Sequence, residues 1–403
     1  MSFPATARPR FSFVLLLGSM AALPAVTTDL YLPSLPVVAA ELDTSDALVQ
    51  ATITGVLLGG AIGQLLVGPL SDRYGRKAPV MVGVALHVIA SVLCMLTPGI
   101  WPLIVLRVVQ GVGNAAATVC AMAVIRDRYS GAGASILMSR LMLVIGVAPL
   151  LAPTAGGLIA GLWGWRATFA VLAVLGLALM VVVHRSMPET LPPERRRPEG
   201  LVGALRGYRV LLGDGRFLAL ALLPGLGMGA LMSYVAGSPF VLQQEYGLTE
   251  SQFALVFAVN GAGLVLGAQV NASLVRRFAP VSVVRVAIPV AALMAVTLLA
   301  LMVADVGGLL ALLVPLWLLL AVNSVVPPNA SALALTRHGE RAGAAAAMIG
   351  AFQAGVAGLV SPLVGVLGGD AVAMAVVILG AVLAALAVLA IATPAYRRGG
   401  WVD

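Results

Sequence analysis

Long runs of apolar residues constrain this chain more than any other feature. A hydrocarbon core about 30 Å thick needs roughly 20 mostly apolar residues to span it as a helix. Hydrophobic residues make up 61% of the chain and charged residues only 10%, against roughly 45–50% and 25% in soluble domains. The pattern predicts an all-α integral membrane protein with twelve transmembrane helices, near residues 11–36, 47–70, 79–97, 100–125, 135–160, 167–184, 217–239, 251–274, 282–303, 307–334, 342–367 and 371–393.

The basic residues predict the orientation of these helices. With both termini in the cytoplasm, all 24 lysines and arginines except Arg107 and Arg166 fall in inner loops or at inner helix ends. This excess of basic residues in the inner loops is what the positive-inside rule predicts. The net charge of +8 is therefore a topology signal, and it gives no reason to expect nucleic-acid binding. We predict a multi-pass protein of the cytoplasmic membrane of a bacterium.

The first apolar run also has features of a secretory signal peptide. Arg8 and Arg10 precede it, and small residues at Ala22–Ala25 resemble a cleavage site. Cleavage would leave eleven spans and lose the symmetric division described next. An uncleaved first helix is the better interpretation.

The longest polar stretch divides the twelve predicted helices into six and six. We predict a six-helix bundle over 1–184, a cytoplasmic linker over 185–216 and a second six-helix bundle over 217–403. Transporters built from parallel repeats have this organisation. A degenerate internal repeat, in which residues 271–280 resemble residues 68–77, gives this division weak support.

A very short predicted inner loop carries the string GPLSDRYGRK from Gly68 to Lys77. Any short positive-inside loop would explain its charges, but not the whole string, which resembles the signature of the major facilitator superfamily. The resemblance implies a role in closing the cytoplasmic gate, with the Asp bonded to the eleventh helix. It carries that role to Gly68, Asp72, Arg73, Gly75 and Arg76.

Asp29 is the one acid inside a predicted span. Counted along the chain it lies ~10–18 Å below the outer surface, and Arg107 of the fourth span lies ~9–14 Å below it, at 1.5 Å per helical residue. An arginine inside the membrane costs at least ~2.5–3.5 kcal/mol, so a partner or water is expected. We predict that Asp29 exchanges a proton for substrate, with Arg107 in the coupling machinery. In the alternative interpretation, Arg107 only bonds neighbouring backbone carbonyls.

Further candidates come from stripes of small and polar residues on single helix faces. Gln110, Gly111, Asn114 and Thr118 share the face of Arg107, and Arg-x-x-Gln-Gly resembles a motif of proton-coupled members of the superfamily. These residues point to a cavity, although polar residues can equally bond between helices at ~0.6 kcal/mol each. The predicted substrate-cavity residues are Tyr31, Gln110, Asn114, Thr118, Tyr234, Asn260, Asn323 and Gln353.

The fifth span is rich in glycine and proline, which predicts a bent helix with a flat face. A simple packing helix would be the plain alternative. The string resembles the antiporter motif of drug-exporting members, although Ala148 replaces an expected glycine. The predicted motif residues are Gly146, Pro149, Pro153, Gly156 and Gly157.

The string Asp-x-Tyr-Leu-Pro-x-x-Pro around Asp29 makes the chain similar to the Bcr/CflA group of drug:proton antiporters, relatives of bicyclomycin and chloramphenicol exporters. The resemblance implies a monomeric secondary exporter of a small drug, driven by a proton gradient and without a cofactor. The alternatives are an exporter of an endogenous metabolite such as an amino acid or siderophore, and a non-transporting sensor or channel. No metal-ligand spacing or catalytic triad is visible, so we predict no metal site and no enzyme.

Overall fold

The computed structural model describes residues 11–129, 131–196, 200–336 and 338–392, and every regular element in these ranges is helical. Side chains are described except at 131–136, 139, 142, 143, 147–150, 391 and 392. The helices before the linker are α1 (Phe11–Asp29), α2 (Leu35–Glu41), α3 (Asp46–Tyr74), α4 (Lys77–Met95), α5 (Ile100–Arg128), α6 (Gly131–Trp163) and α7 (Arg166–Ser186).

A further helix lies in the predicted linker, and the remaining helices follow it. They are α8 (Gly200–Leu212), α9 (Gly215–Pro239), α10 (Glu250–Leu274), α11 (Pro280–Val303), α12 (Gly308–Asn323), α13 (Val326–Thr336), α14 (Ala342–Val360), α15 (Leu363–Val366) and α16 (Ala371–Ala392). Short 3₁₀ turns occur at Leu32–Ser34, Pro193–Arg195 and Gly339–Arg341, and a π-helical turn at Phe240–Glu245.

The described helices confirm the predicted integral membrane fold. Eleven helical segments are long and apolar enough to cross a membrane, and the 33-residue helix α6 supplies the twelfth. Three predicted spans are each made of two consecutive helices: α1 with α2, α12 with α13, and α14 with α15. Each break interrupts the ladder of backbone hydrogen bonds inside a single span.

Prolines explain the break in the tenth span. The sequence places Pro327 and Pro328 together, and a proline removes a backbone donor and clashes with the preceding turn. Helix α12 ends at Asn323, and both prolines lie in the first turn of α13, where the missing N–H groups cost nothing. The proline pair therefore accounts for the end of α12 and the start of α13 within this span.

Two compact units make up the described chain. The first combines residues up to Ser34 with Gly55–Leu205, and the second combines Leu35–Thr54 with residues from Arg206 onward. The boundary near residue 205 falls inside the predicted linker, which contains α8. The second unit thus takes in a stretch, Leu35–Thr54, that the predicted division assigns to the first bundle.

Small residues bring the helices of the first unit into backbone contact. A Cβ built on Gly111 of α5 would lie 2.1 Å from the carbonyl oxygen of Val56 in α3. No side chain fits in that gap, so the backbones of α3 and α5 meet at this point, as expected where the packing relies on glycine. The aliphatic core of the same unit, around Leu17, Met20 and Val84, is fully buried.

Candidate functional site

Asp29 is the last residue of α1. The chain leaves the helix through a turn at Leu30 and Tyr31 and enters the 3₁₀ turn that contains Pro33. Asp29 is only 7% exposed. The last carbonyls of a helix have no partner within it and carry partial negative charge, so a carboxylate at this position is electrostatically unfavourable.

Arg107 of α5 reaches the same end of α1. Its side chain is completely buried, and its Nη1 donates to the carbonyl oxygen of Thr27 at 3.3 Å and to Oε1 of Gln110 at 2.6 Å. Its Nε and Nη2 have no partner among the described residues. Since no ion pair to Asp29 occurs within this part of the chain, the guanidinium caps the helix end rather than neutralising the acid.

Aromatic rings hold the guanidinium in place. Its carbon lies 5.0 Å from the centre of the Tyr31 ring and 5.6 Å from that of Phe169 in α7. The two rings contact each other, 5.1 Å between centres. Cation–π contacts of this kind contribute about 2 kcal/mol when desolvated. The predicted cavity residue Tyr31 is therefore a buried neighbour of Arg107, and the sequence offered no signal for Phe169.

A chain of hydrogen bonds continues from Arg107 into the interior of the first unit. Gln110 Nε2 donates to Ser91 Oγ at 2.7 Å, and Ser91 Oγ donates to the carbonyl oxygen of His87 at 2.7 Å. Asn114 accepts a long 3.4 Å bond from Thr27 Oγ1. The polar stripe of α5 is thus bonded to α1 and α4, and Thr118 is half-buried at its end.

Gly156 of α6 lies directly against the chain that follows Asp29. A Cβ at this position would lie 2.0 Å from the carbonyl oxygen of Leu30 and 2.8 Å from its carbonyl carbon. The neighbouring motif residues Pro153 and Gly157 are also buried, and Gly146 is half-buried. The side chain of Pro149 lies outside the described residues. The antiporter-like motif therefore meets the backbone next to Asp29.

The loop between α3 and α4 is built around Arg76. Its Nη1 contacts Asp72 Oδ1 at 2.6 Å and Ser71 Oγ at 2.7 Å, and its Nε contacts Asp127 Oδ2 at 2.8 Å. Burial by itself would lower the pKa of Arg76, but the hydrogen bonds and charges of Asp127 and Asp72 raise it. The cation is therefore permanent and joins the ends of α3 and α5.

Glu189, just after α7, closes the same cluster. Its carboxylate accepts the backbone N–H groups of Arg76 at 2.9 Å and Lys77 at 3.2 Å, at the N-terminus of α4. Burial alone would raise the pKa of Glu189, but these bonds and two from Thr190 and Leu191 lower it below its ordinary value of 4.5. A helix N-terminus favours such a negative charge.

The structure also describes the three remaining members of the predicted loop motif, Arg73, Gly75 and Gly68. Arg73 lies over the ring of Tyr74, 5.3 Å from its centre. Gly75 has a φ of +89°, a left-handed conformation that favours glycine, and a Cβ there would lie 2.5 Å from a Glu189 oxygen. A Cβ built on Gly68 meets no atom within 4 Å.

Three of the four candidates of the second unit are buried, and two of them bond each other. Asn260 Nδ2 donates to the hydroxyl of Tyr234 at 3.0 Å, and the Tyr234 ring stacks on Phe257 at 5.6 Å. Asn323 Nδ2 donates to the carbonyl oxygen of Gly227 at 2.9 Å beside a small, mainly apolar cavity. Gln353 is half-buried. Their predicted role in substrate binding stays a prediction.

Sequence reasoning missed several partners in these clusters. The clusters around Arg107 and Arg76 also contain Ser91, Asp127 and Glu189. Of these three, only Asp127 could have been suspected from the sequence, since it lies between two arginines at an inner helix end. Within the described ranges, no group of three or more His, Cys, Asp or Glu side chains is arranged to hold a metal ion.

Comparison with known proteins identifies the family. The Major Facilitator Superfamily model matches residues 15–362. The uncharacterized MFS-type transporter YdgK of Bacillus subtilis is 34% identical over 389 residues, which cover 95% of this chain and 96% of that protein. The bicyclomycin resistance protein homolog of Haemophilus influenzae is 31% identical over 354 residues, covering 88% and 89%.

Solved structures agree at the level of the fold. The xylose transporter XylE of E. coli, in a partially occluded inward-open conformation, superposes with a TM-score of 0.72 at 16% identity and covers 94% of this chain and 97% of its own. The resemblance predicted from the loop and helix motifs is confirmed. This chain is a multi-pass membrane transporter that belongs to the major facilitator superfamily.

Proposed function

We propose that this transporter is a monomeric secondary exporter of the bacterial cytoplasmic membrane that couples inward proton flow to the outward transport of a small drug or antibiotic by alternating access. The name of the bicyclomycin resistance homolog supports an antibiotic as cargo. The proton gradient is the energy source, and no cofactor is needed.

The placement of Asp29 carries this proposal. Its carboxyl group is buried, lies at the carbonyl end of α1, and forms no ion pair or hydrogen bond with other described residues. An unpaired charge in such a place is costly, and a bound proton removes the charge. Ionisable residues inside membrane spans mark proton relays and substrate pathways, and a carboxyl group is suited to both.

Arg107 supports the same mechanism without neutralising Asp29 directly. Its guanidinium caps the carbonyl of Thr27, two residues before Asp29, and its position is fixed by Gln110 and two aromatic rings. A fixed cation at this helix end favours the transient carboxylate when the proton leaves. A cationic or dipolar cargo near Asp29 would have the same effect, so cargo and proton would compete.

The test is proton-gradient-driven transport in proteoliposomes, with bicyclomycin and a panel of antibiotics, amino acids and siderophores as cargo. Asp29→Asn removes the titratable group and keeps the side-chain shape, so we expect gradient-driven transport to be abolished in a folded protein. Asp305→Asn is the matched control, since Asp305 is exposed in a loop at φ 51°, a conformation that asparagine also adopts.

Two results would contradict the proposal. Full coupling of transport to the gradient in Asp29→Asn would exclude Asp29 as the proton carrier. Transport of amino acids or siderophores, with none of any antibiotic, would make the chain a metabolite exporter on the same scaffold. Neither result would change its membership of the transporter family.

A further inference from the structure

The exposed face of α8 carries both large apolar side chains and arginines, and exposure of the apolar side chains to water is unfavourable. Leu205 and Leu212 are 57% and 54% exposed, and Val202 is 62% exposed. Arg206 and Arg209 are exposed between them. Exposed apolar side chains grouped on one helix face mark an interaction surface.

Helical geometry separates this surface from the buried side of α8. At 100° per residue, Leu201, Leu205 and Leu212 fall within 40° of one another, Arg209 lies 40° beyond Leu205, and Arg206 lies 60° beyond Arg209. The buried residues Tyr208 and Leu211 lie 60° and 120° from Leu205 in the other direction, away from the arginines. One side of α8 therefore packs on the protein, the leucine stripe runs along the edge of that side, and the two arginines lie beyond the stripe on the exposed side.

The chain holds α8 close to the membrane surface. Leu212, its last residue, is separated from the start of the membrane span α9 by only Gly213 and Asp214. Asp214 caps α9 by accepting the N–H groups of Arg216 and Phe217. In the second unit, a Cβ on Gly207 would lie 3.5 Å from Ala344, in the first turn of the span α14. Helix α8 thus lies where two spans enter the bilayer.

We propose that α8 is an interfacial helix whose exposed face binds anionic phospholipid headgroups. Leu201, Leu205 and Leu212 would enter the boundary between headgroups and acyl chains, and Arg206 and Arg209 would bond lipid phosphates. Amphipathic helices with arginines beside an apolar face bind membranes in this way, and the guanidinium group matches phosphate oxygens with two parallel hydrogen bonds. No ion pair occupies either arginine among the described residues.

The first measurement is the depth of α8 in lipid nanodiscs that contain the full-length protein. Leu205→Cys and Val210→Cys carry a spin label, since Cys94 and Cys120 are buried and leave the new thiols selectively reactive. Val210 lies 140° from Leu205 around the helix. We expect the label at position 205 to collide more with oxygen than with a water-soluble nickel chelate, and the label at position 210 to show the reverse.

The second measurement is the enrichment of phosphatidylglycerol over phosphatidylcholine around the protein, read by native mass spectrometry of retained lipids. Arg206→Gln with Arg209→Gln should lower this enrichment about fivefold for each arginine, since one basic residue near an anionic surface contributes that factor. Arg276→Gln with Arg277→Gln is the matched control, because it removes two exposed arginines from the turn after α10.

Several results would overturn the proposal. A label at position 205 that collides freely with the nickel chelate faces water, and one shielded from both reagents faces protein. Equal loss of phosphatidylglycerol in both double variants would show a general charge effect, and no loss in either would show that α8 does not select anionic lipid. None of these readings depends on transport.

Discussion

Gly156→Ala tests whether the contact between α6 and the end of α1 holds Asp29 in place. The new Cβ would lie 2.0 Å from the Leu30 carbonyl oxygen, whereas ordinary contacts begin at 3.4 Å, so the two chains must separate by 1.4 Å. Both partners are backbone, so no side chain can turn away. Overpacking of this kind costs about 1–3 kcal/mol, and we expect the upper part of that range.

Leu30 follows Asp29 directly, so the displacement reaches the carboxyl group. Misplacement of a reacting group by about 1 Å can cost about 100-fold in rate, and we expect proton-driven transport to fall at least about tenfold. The pH at which transport is half-maximal should also shift, which a general loss of stability would not produce. The assays are thermal unfolding in detergent and transport in proteoliposomes across a pH series.

Gly380→Ala is the control for the intrinsic effect of alanine in a helix. Alanine is favoured over glycine by about 1 kcal/mol there, and a Cβ on Gly380 of α16 meets no atom within 4 Å. This variant should keep or gain stability and transport normally. If Gly156→Ala behaves like Gly380→Ala in both assays, α6 does not hold the end of α1, and the reasoning fails.

Three further substitutions test the clusters described above. Glu189→Gln should lower the unfolding temperature, because the carboxylate accepts four backbone N–H groups. Since folding lowers the pKa of Glu189, the difference in unfolding temperature between wild type and variant should be complete above pH 4.5 and should vanish as the pH falls through the folded pKa. A difference in unfolding temperature that stays constant with pH would contradict this. Arg107→Lys should abolish coupled transport although the charge is kept, since lysine lacks the planar group that stacks on Tyr31 and bonds Gln110; normal coupling would show that charge alone is needed. Tyr234→Phe leaves the buried Asn260 amide without its acceptor and should cost about 1–3 kcal/mol of unfolding free energy, measured by denaturation, with an unchanged KM if the pair is structural; a raised KM with normal stability would place Tyr234 in the substrate pocket.

Much of the architecture could be predicted from local pattern. The number of spans follows from the length of the apolar runs, because the bilayer thickness sets the length of a helix that crosses it. The break before Val326 follows from Pro327 and Pro328, which cannot continue a helix from the preceding turn. Asp29 could be singled out because it is an acid inside an apolar span. The loop around Arg76 could be singled out because its sequence resembles the signature of a known family.

Partner choice could not be predicted in the same way. Equal depth of Asp29 and Arg107 made an ion pair plausible, yet the guanidinium bonds Thr27, 80 residues away along the chain. Likewise, Glu189 reaches the N–H of Arg76 across 113 residues. A helical period specifies which face a residue occupies, but the rotation and approach of the neighbouring helix decide which atom it meets, and those depend on packing throughout the unit.

The sequence by itself thus determined how many helices cross the membrane, where prolines interrupt them and which ionisable groups are buried in them, because each of these depends on a local run of residues and the thickness of the bilayer. Only the tertiary structure decided that Gly156 lies against Leu30, that Arg107 caps α1 and that Asp29 is left without an ion-pair partner among the described residues. Those contacts join helices far apart in sequence, where small residues let backbones meet and no local pattern records the pairing.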